Sequence, residues 1–367
     1  MNAMIFRLLL GSRTMAGKRS VLAGIAAGIV LLGAAAGLAQ AGSDERTGTS
    51  GANELRIPVG PRSTALGGTT VSDASGPEAL YWNPAGLATL TETDVYFSHL
   101  NYIADMNVNY FAVVTKAGSF GNIGFSAKML DVGDVFVTTE ASPEGTGDVL
   151  SPTFATFGLS YARQFTDRVR FGTTVQFINE TVAQARAKGL AFDFGFQYET
   201  GYNGLTFGFA MKNFGTSMEF SGEDFELNVP IPDAEPGSSN RTVSSSSSAF
   251  ELPSYFQIGA GYDLINRGSA AAESNRLRVL GTFSSNNFTP DEVRGGAEYM
   301  FKDRFALRAG YGQRVSGSDT DIYNGFSFGA GLNLNLGGET RLRFDYSNRM
   351  VDEFFDDTNE FAVRLTF

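Results

Sequence analysis

From Leu190 to Glu199 the chain alternates without a break. Leu190, Phe192, Phe194, Phe196 and Tyr198 fall on one parity, and Ala191, Asp193, Gly195, Gln197 and Glu199 fall on the other. Successive side chains of a strand point to opposite faces, so this segment presents one apolar face and one polar face. The split recurs along the chain. Val169, Phe171, Val175 and Phe177 oppose Arg170, Gly172, Thr174 and Gln176, and Leu205, Phe207, Phe209 and Met211 oppose Thr206, Gly208 and Lys212. Near the end, Phe326, Phe328, Leu332, Leu334 and Leu336 oppose Ser327, Gly329, Gly331, Asn333 and Asn335, and Leu342, Phe344 and Tyr346 oppose Arg341, Arg343 and Asp345. In a water-soluble sandwich the aromatic faces would pair across a core.

The connections argue for a different arrangement. Tight links fall at Gly118-Ser119, Thr166-Asp167-Arg168, Gly201 to Gly204, Lys302-Asp303-Arg304 and Gly337-Gly338. Between them lie longer ones, at Asp131 to Ser151, Ala183 to Gly189, Ser217 to Glu251, Arg314 to Asp321 and Arg349 to Thr358. Short turns at one end and long loops at the other, over about fourteen strands, predict an all-β fold: a transmembrane antiparallel up-and-down β-barrel. The aromatic parity then meets lipid and the polar parity lines the lumen.

One long segment, Ile57 to Ala88, lacks this alternation. Pro58, Pro61, Pro77 and Pro84 exclude a long helix or a central strand, and Gly67-Gly68 permits turns. Leu66, Val71, Leu80, Tyr81, Trp82 and Leu87 are nevertheless too apolar for a solvated loop. Such a segment must be enclosed, so residues 57–92 are expected to form a hatch inside the barrel of residues 93–367. Inward glycines such as Gly195, Gly208, Gly296, Gly329 and Gly331 would make room for it.

Upstream, Lys18 and Arg19 precede an apolar run from Val21 to Leu38 that ends in Ala39-Gln40-Ala41. This is the pattern of a secretory signal peptide over residues 1–41, followed by a mobile mature stretch at 42–56. Its removal takes away four basic residues and no acidic one, leaving 24 basic residues against 39 acidic ones. So acidic a chain is not expected to bind nucleic acid. Charged residues make up only 18% of a chain of mean hydropathy near zero, as expected where apolar residues are dispersed among polar ones. There is no cysteine, hence no disulfide and no thiolate metal site.

Catalysis finds little support. The single histidine, His99, has no serine or carboxylate at a telling spacing, and no catalytic residue or cofactor is predicted. Asp352, Glu353, Asp356 and Asp357 could hold calcium, but a solvated acidic loop is the simpler reading, and no metal is expected. The inward parity carries Arg170, Arg278, Arg294, Arg308, Arg341, Arg343 and Arg364, for which Asp193, Glu199, Glu298 and Asp345 and the hatch residues Asp73 and Glu78 are the available partners. Apolar residues on both faces of the first hairpin, with Phe111 and Val113 opposing Tyr110 and Val114, suggest a greasy inner patch or a contact with the hatch. Phe111, Val113, Arg294, Arg341 and Arg343 are therefore the candidate lumen contacts for a ligand.

At Tyr81-Trp82-Asn83-Pro84-Ala85-Gly86-Leu87, following Arg62 to Gly68 and Val71 to Ala74, the segment resembles the N-terminal signature of the PorV/PorQ family, within the FadL superfamily of outer-membrane barrels. The resemblance implies a fourteen-stranded barrel in the outer membrane, with a hatch and no enzymatic activity. It also implies one of two roles: handling of cargo sorting domains with the type IX secretion translocon, or FadL-like uptake of a hydrophobic small molecule. Trp82, Asn83, Pro84, Ala85 and Gly86 form the hatch motif. Asn83 is expected to cap backbone inside the lumen, Pro84 to rigidify the residues after it and Trp82 to anchor against the inner wall. The last strand closes on Phe367 and resembles the signal read by the barrel-assembly machinery. That machinery, outer-membrane lipid and lipopolysaccharide are the remaining expected partners.

Overall fold

The computed structural model describes residues 46, 48–229, 241–265, 275–315, 323–352 and 355–367. The expected signal peptide lies outside them. Among the described residues eighteen strands follow the hatch in chain order: β1 (Asp94–Asn101), β2 (Asn107–Lys116), β3 (Asn122–Asp131), β4 (Val135–Phe136), β5 (Val149–Leu150), β6 (Thr153–Thr166), β7 (Val169–Val182), β8 (Ala185–Glu199) and β9 (Thr206–Gly215). Then come β10 (Phe220–Val229), β11 (Arg241–Ser246), β12 (Tyr255–Ile265), β13 (Asn275–Asn286), β14 (Glu292–Phe301), β15 (Phe305–Arg314), β16 (Tyr323–Gly337), β17 (Thr340–Val351) and β18 (Thr358–Thr366).

Fourteen of these, all but β4, β5, β10 and β11, form a closed antiparallel barrel. Closure joins the first strand to the last, with Asp94 opposite Thr366 and Asn101 opposite Asn359. Thr93 and Phe367 extend that seam by exchanging two backbone hydrogen bonds at 2.9 and 3.0 Å. A barrel has no free edge, which is why this architecture can satisfy its backbone inside a bilayer.

Two expected loops turn out differently. Ala183 to Gly189 is not a loop, because β7 and β8 run on as a long hairpin closed by Ala183-Gln184, with Ala183 at φ 54°. The Ser217 to Glu251 connection carries the hairpin β10–β11, which takes up Ser244 to Ser246 and attaches to β8 only from Ala185 to Ala187. The other expected long loops begin where the alternation ends, although 316–322 and 353–354 lie outside the described residues.

The parity holds around the wall. Phe192, Phe194 and Phe196 face outward, while Ala191, Asp193 and Gln197 between them are buried. Inside sits the hatch, which starts earlier than Ile57. Ser50 bridges to Glu251, and the helical turn Asn53–Arg56 buries Leu55, so part of the stretch expected to be mobile is packed. The hatch then proceeds through short helical turns at Pro61–Ala65, Thr70–Ser72, Gly76–Glu78, Ala79–Trp82 and Pro84–Thr89. Three of these carry Pro61, Pro77 or Pro84 at their first or second position, where a missing backbone N–H costs nothing.

Candidate functional site

The hatch lies against glycine. A Cβ built on Gly172 would fall 2.3 Å from the Pro84 carbonyl carbon, one on Gly208 would fall 2.2 Å from the Val71 oxygen, and one on Gly310 would fall 2.2 Å from the Gly67 nitrogen. Gly195, Gly296 and Gly329 meet Asn83, Leu66 and Ala65 in the same way. Gly331 differs from expectation: its space is taken by Arg308 and Asp345 of the wall.

Because the hatch has so little regular structure, its backbone groups need partners from elsewhere. The wall supplies them. Lys128 Nζ donates to the carbonyls of Glu54 and Ile57 at 2.7 and 2.6 Å, and Gln197 Nε2 donates to that of Ala74 at 3.1 Å. Ser327 donates to Ala65 O at 3.1 Å, while Glu360 accepts from Gly60 N at 2.6 Å and from the Thr64 hydroxyl at 3.1 Å. Periodicity did not single these residues out, although each is a polar side chain on the inward parity.

Asn83 does what its place before proline predicts. Its backbone is extended, its Oδ1 accepts from Ala85 N at 3.1 Å, and its Nδ2 lies within 2.6 to 3.3 Å of the carbonyls of Val71, Phe196 and Phe209. Since Phe196 and Phe209 belong to β8 and β9, this one side chain joins two parts of the hatch to the wall. Pro84, Ala85 and Gly86 are buried in the turn that Asn83 caps, and Gly86 abuts Ala74. Trp82 Nε1 donates to Val59 O at 2.8 Å, a bond within the hatch, and its ring is buried in the apolar cluster that hatch and wall share.

On the short-turn side the lumen holds an ion-pair network. Arg62 of the hatch pairs with Asp73 and Glu298, both at 3.0 Å, and Glu298 also takes Arg308 at 2.7 Å. Asp345 joins Arg308 to Arg343, and Arg278 bridges Asp73 and Asp263. Burial alone would lower the Arg62 pKa, but the carboxylates of Asp73 and Glu298 outweigh it and hold the group well above its ordinary value. Burial raises the Glu54 carboxyl, with its own backbone N–H and Lys128 pulling the other way. Glu78 accepts from the hydroxyls of Ser63 and Tyr96.

On the long-loop side the lumen opens into a cavity of about 400 Å³. Its floor is hatch, including Ile57, Pro58, Gly67, Gly68, Tyr81 and Trp82. Arg56, Arg294, Arg314 and Arg349 line it together with a single carboxylate among the described residues, Glu292. Tyr102, Tyr255 and Tyr323 add aromatic wall. Of the five residues expected to contact a ligand, only Arg294 is here. Phe111 is 39% exposed on the outer face, and Val113 shares its parity. The inner patch of that hairpin is built instead by Val108, Tyr110 and Val114, and it packs on Leu80 and Leu87 of the hatch. Arg343 is in the network below, while Arg341 pairs with Glu92 at the short-turn end, 56% exposed. Three arginines were missing from that expectation: Arg56 belongs to the hatch, and Arg314 and Arg349 stand toward the ends of β15 and β17 where alternation gives way to loop, so parity gave no reason to single them out.

His99 lies on the outward parity, with its ring nitrogens 2.8 and 3.0 Å from the side-chain oxygens of Asn109 and Asn101. Among the described residues no group of three or more carboxylate or imidazole side chains is placed to hold a metal; Glu353 lies outside them.

A closed fourteen-stranded barrel, a hatch held by its wall and a lumen cavity together have the fold of an outer-membrane channel. The model of the uncharacterised protein family UPF0164 matches residues 31–212. Among solved structures the chain is similar to the Pseudomonas putida toluene transporter TodX, with TM-score 0.54 at 12% identity over 83% of this chain and 96% of that one. It is similar as well to the CymD monoaromatic hydrocarbon channel, with TM-score 0.52 at 12% identity over 84% and 97%. A Pseudomonas aeruginosa FadL homologue gives TM-score 0.50 at 12% identity over 84% and 98%. At such identities the likeness speaks for the fold alone. No curated protein matches the chain in sequence.

Proposed function

We propose that the protein is a non-enzymatic barrel of the outer membrane that binds a small organic molecule in its lumen and passes it inward. The observation that carries this reading is the cavity of about 400 Å³, open space kept between a hatch and the long-loop rim. Its size suits a small molecule and is far too small for a folded protein. The outward aromatic belt, with Phe97, Phe157, Phe171 and Phe177 exposed around the wall, supports a membrane location. Lipid, lipopolysaccharide and the assembly machinery that reads the Phe367 strand are the partners this location brings. The similarity to hydrocarbon channels is consistent with uptake, and onward passage requires the hatch to shift against its glycines.

A second reading, handling of cargo sorting domains with a type IX translocon, rests on the PorV/PorQ-like hatch motif. It is favoured by one further observation: Leu227, Val229 and Val243 are exposed on the β10–β11 hairpin, which stands off the barrel. A strain lacking the protein separates the two. Intact export with impaired entry of a small organic solute upholds uptake; cargo retained in the envelope with normal solute entry overturns it in favour of secretion.

A further inference from the structure

The geometry points to a ligand class for this cavity that the resemblance does not suggest: a small aromatic dicarboxylate. The inference rests on the lumenal-binding reading above. Three guanidinium groups, Arg56, Arg294 and Arg349, lie within electrostatic reach of Glu292, the one carboxylate among the described lining residues, which Arg56 and Arg294 share as an ion-pair partner. Positive charge so concentrated, in a cavity floored by the hatch and lined by the barrel wall, is relieved by a bound anion.

The arginines are also oriented for the task. Arg349 lies flat on the Tyr323 ring, its Cζ 3.4 Å from the centroid, and Arg56 approaches the Tyr255 ring at 5.9 Å. A guanidinium stacked by its face keeps its in-plane N–H fork free for a carboxylate, which it binds by two parallel bonds. Arg294 lies over Gly68 beside the Trp82 ring, since a Cβ on that glycine would come 2.9 Å from the indole and 3.1 Å from Arg294 Nη1. An aromatic ring on the Tyr81-Trp82 floor thus places its carboxylates at the arginines. Gln257, buried at the cavity edge, donates to the Ser284 hydroxyl at 3.0 Å and leaves its Oε1 without a partner, ready to accept from a protonated or hydroxyl group. A long alkyl chain has no path downward, because Gly67 and Gly68 belong to the floor and the Arg62–Glu298–Arg308 ion pairs lie beneath.

Trp82 is the only tryptophan in the chain and lines the cavity, so it reports on occupancy. The experiment titrates the full-length protein in detergent with phthalate, toluene and laurate while following Trp82 emission. Each variant is first checked for the mobility shift between unheated and boiled samples. Phthalate is expected to change the emission saturably, and more weakly at high salt. Arg294→Gln and Arg349→Gln are each expected to weaken it about tenfold, the loss of one bidentate pair. Glu292→Gln, which removes the opposing charge, should tighten it, and Arg341→Gln should leave it unchanged. Saturable binding of toluene or laurate with no response to phthalate, or phthalate binding indifferent to Arg294 and Arg349, overturns the dicarboxylate inference while lumenal binding stands. No response to any probe, in protein whose deletion leaves solute entry normal, overturns both.

Discussion

The lumen has two levels built from one wall. At the hatch level the wall presents glycine, and hatch backbone comes so near that an added methyl group would overlap it. A few residues further along the same strands, β14, β15 and β17 present Arg294, Arg314 and Arg349 to open space. The charged groups of the lower level are matched, Arg62 by Asp73 and Glu298 and Arg308 by Glu298 and Asp345. The described lining of the upper level is positive in excess. The lower level is thus ion-paired through the hatch itself, whereas in the upper level Arg56 and Arg294 share the one carboxylate Glu292 at the edge of the cavity.

The largest expected effect tests that distinction directly. Arg62→Ala leaves Glu298 and Asp73 short of one partner each, and breaking a buried pair costs about 3–5 kcal/mol. Glu298 keeps Arg308 and Asp73 keeps Arg278, which places the loss at the lower end. It should appear as rapid proteolysis of residues 50–92 with the barrel intact. Arg349→Ala in the upper level should cost about 1 kcal/mol or less, the worth of its stacking on Tyr323. Equal losses at the two sites would erase the contrast.

Next comes the wall itself. Arginine at the outward Phe194 should cost about 2–4 kcal/mol near mid-membrane. Parity alone makes the same change at Gln197 mild, since that side chain faces the lumen. The structure says otherwise, because Gln197 is 2% exposed beneath the hatch and bonded to Ala74. Deleting residues 50–92 should therefore make the Gln197 substitution mild while leaving the Phe194 penalty in place. Denaturant midpoints of the four proteins measure this, and a Gln197 penalty that survives the deletion would refute the hatch contact.

Asn83→Ala removes one donor and one acceptor from buried backbone partners, at about 1–3 kcal/mol. Asn83→Asp should do at least as badly, since it turns an oxygen toward the Val71, Phe196 and Phe209 carbonyls. Proteolysis of the hatch reads both.

The smallest effect is one of pH. Burial raises the folded-state pKa of Glu54 above its unfolded value, so the folded form binds this proton more tightly. The associated stability is complete below the ordinary carboxylate range and is lost as pH rises through the raised folded value. Hatch protection against protease should fall over that interval in the native protein, and Glu54→Gln should flatten the profile.

Much of this was legible in the chain. Strict alternation with short and long links determines a barrel, because a strand has period two and a bilayer rewards one apolar face. Proline, glycine and apolar residues together determine that residues near 57–88 are enclosed, and a proline after Asn83 determines its extended backbone. Which enclosed residues bind one another was not legible. Parity places Arg294, Arg308, Arg341 and Arg343 on one face but is silent on height along the barrel, and height decides which are neutralised beneath the hatch and which face the cavity. In the first hairpin both parities are apolar, so Phe111 and Val113 were as eligible for the lumen as Tyr110 and Val114 until strand pairing turned them outward. Periodicity is a property of neighbours in sequence. The cavity, its arginines and the hatch contacts join residues hundreds of positions apart, such as Gly60 with Glu360 and Arg62 with Glu298, and only closure of the barrel around the hatch brings them together.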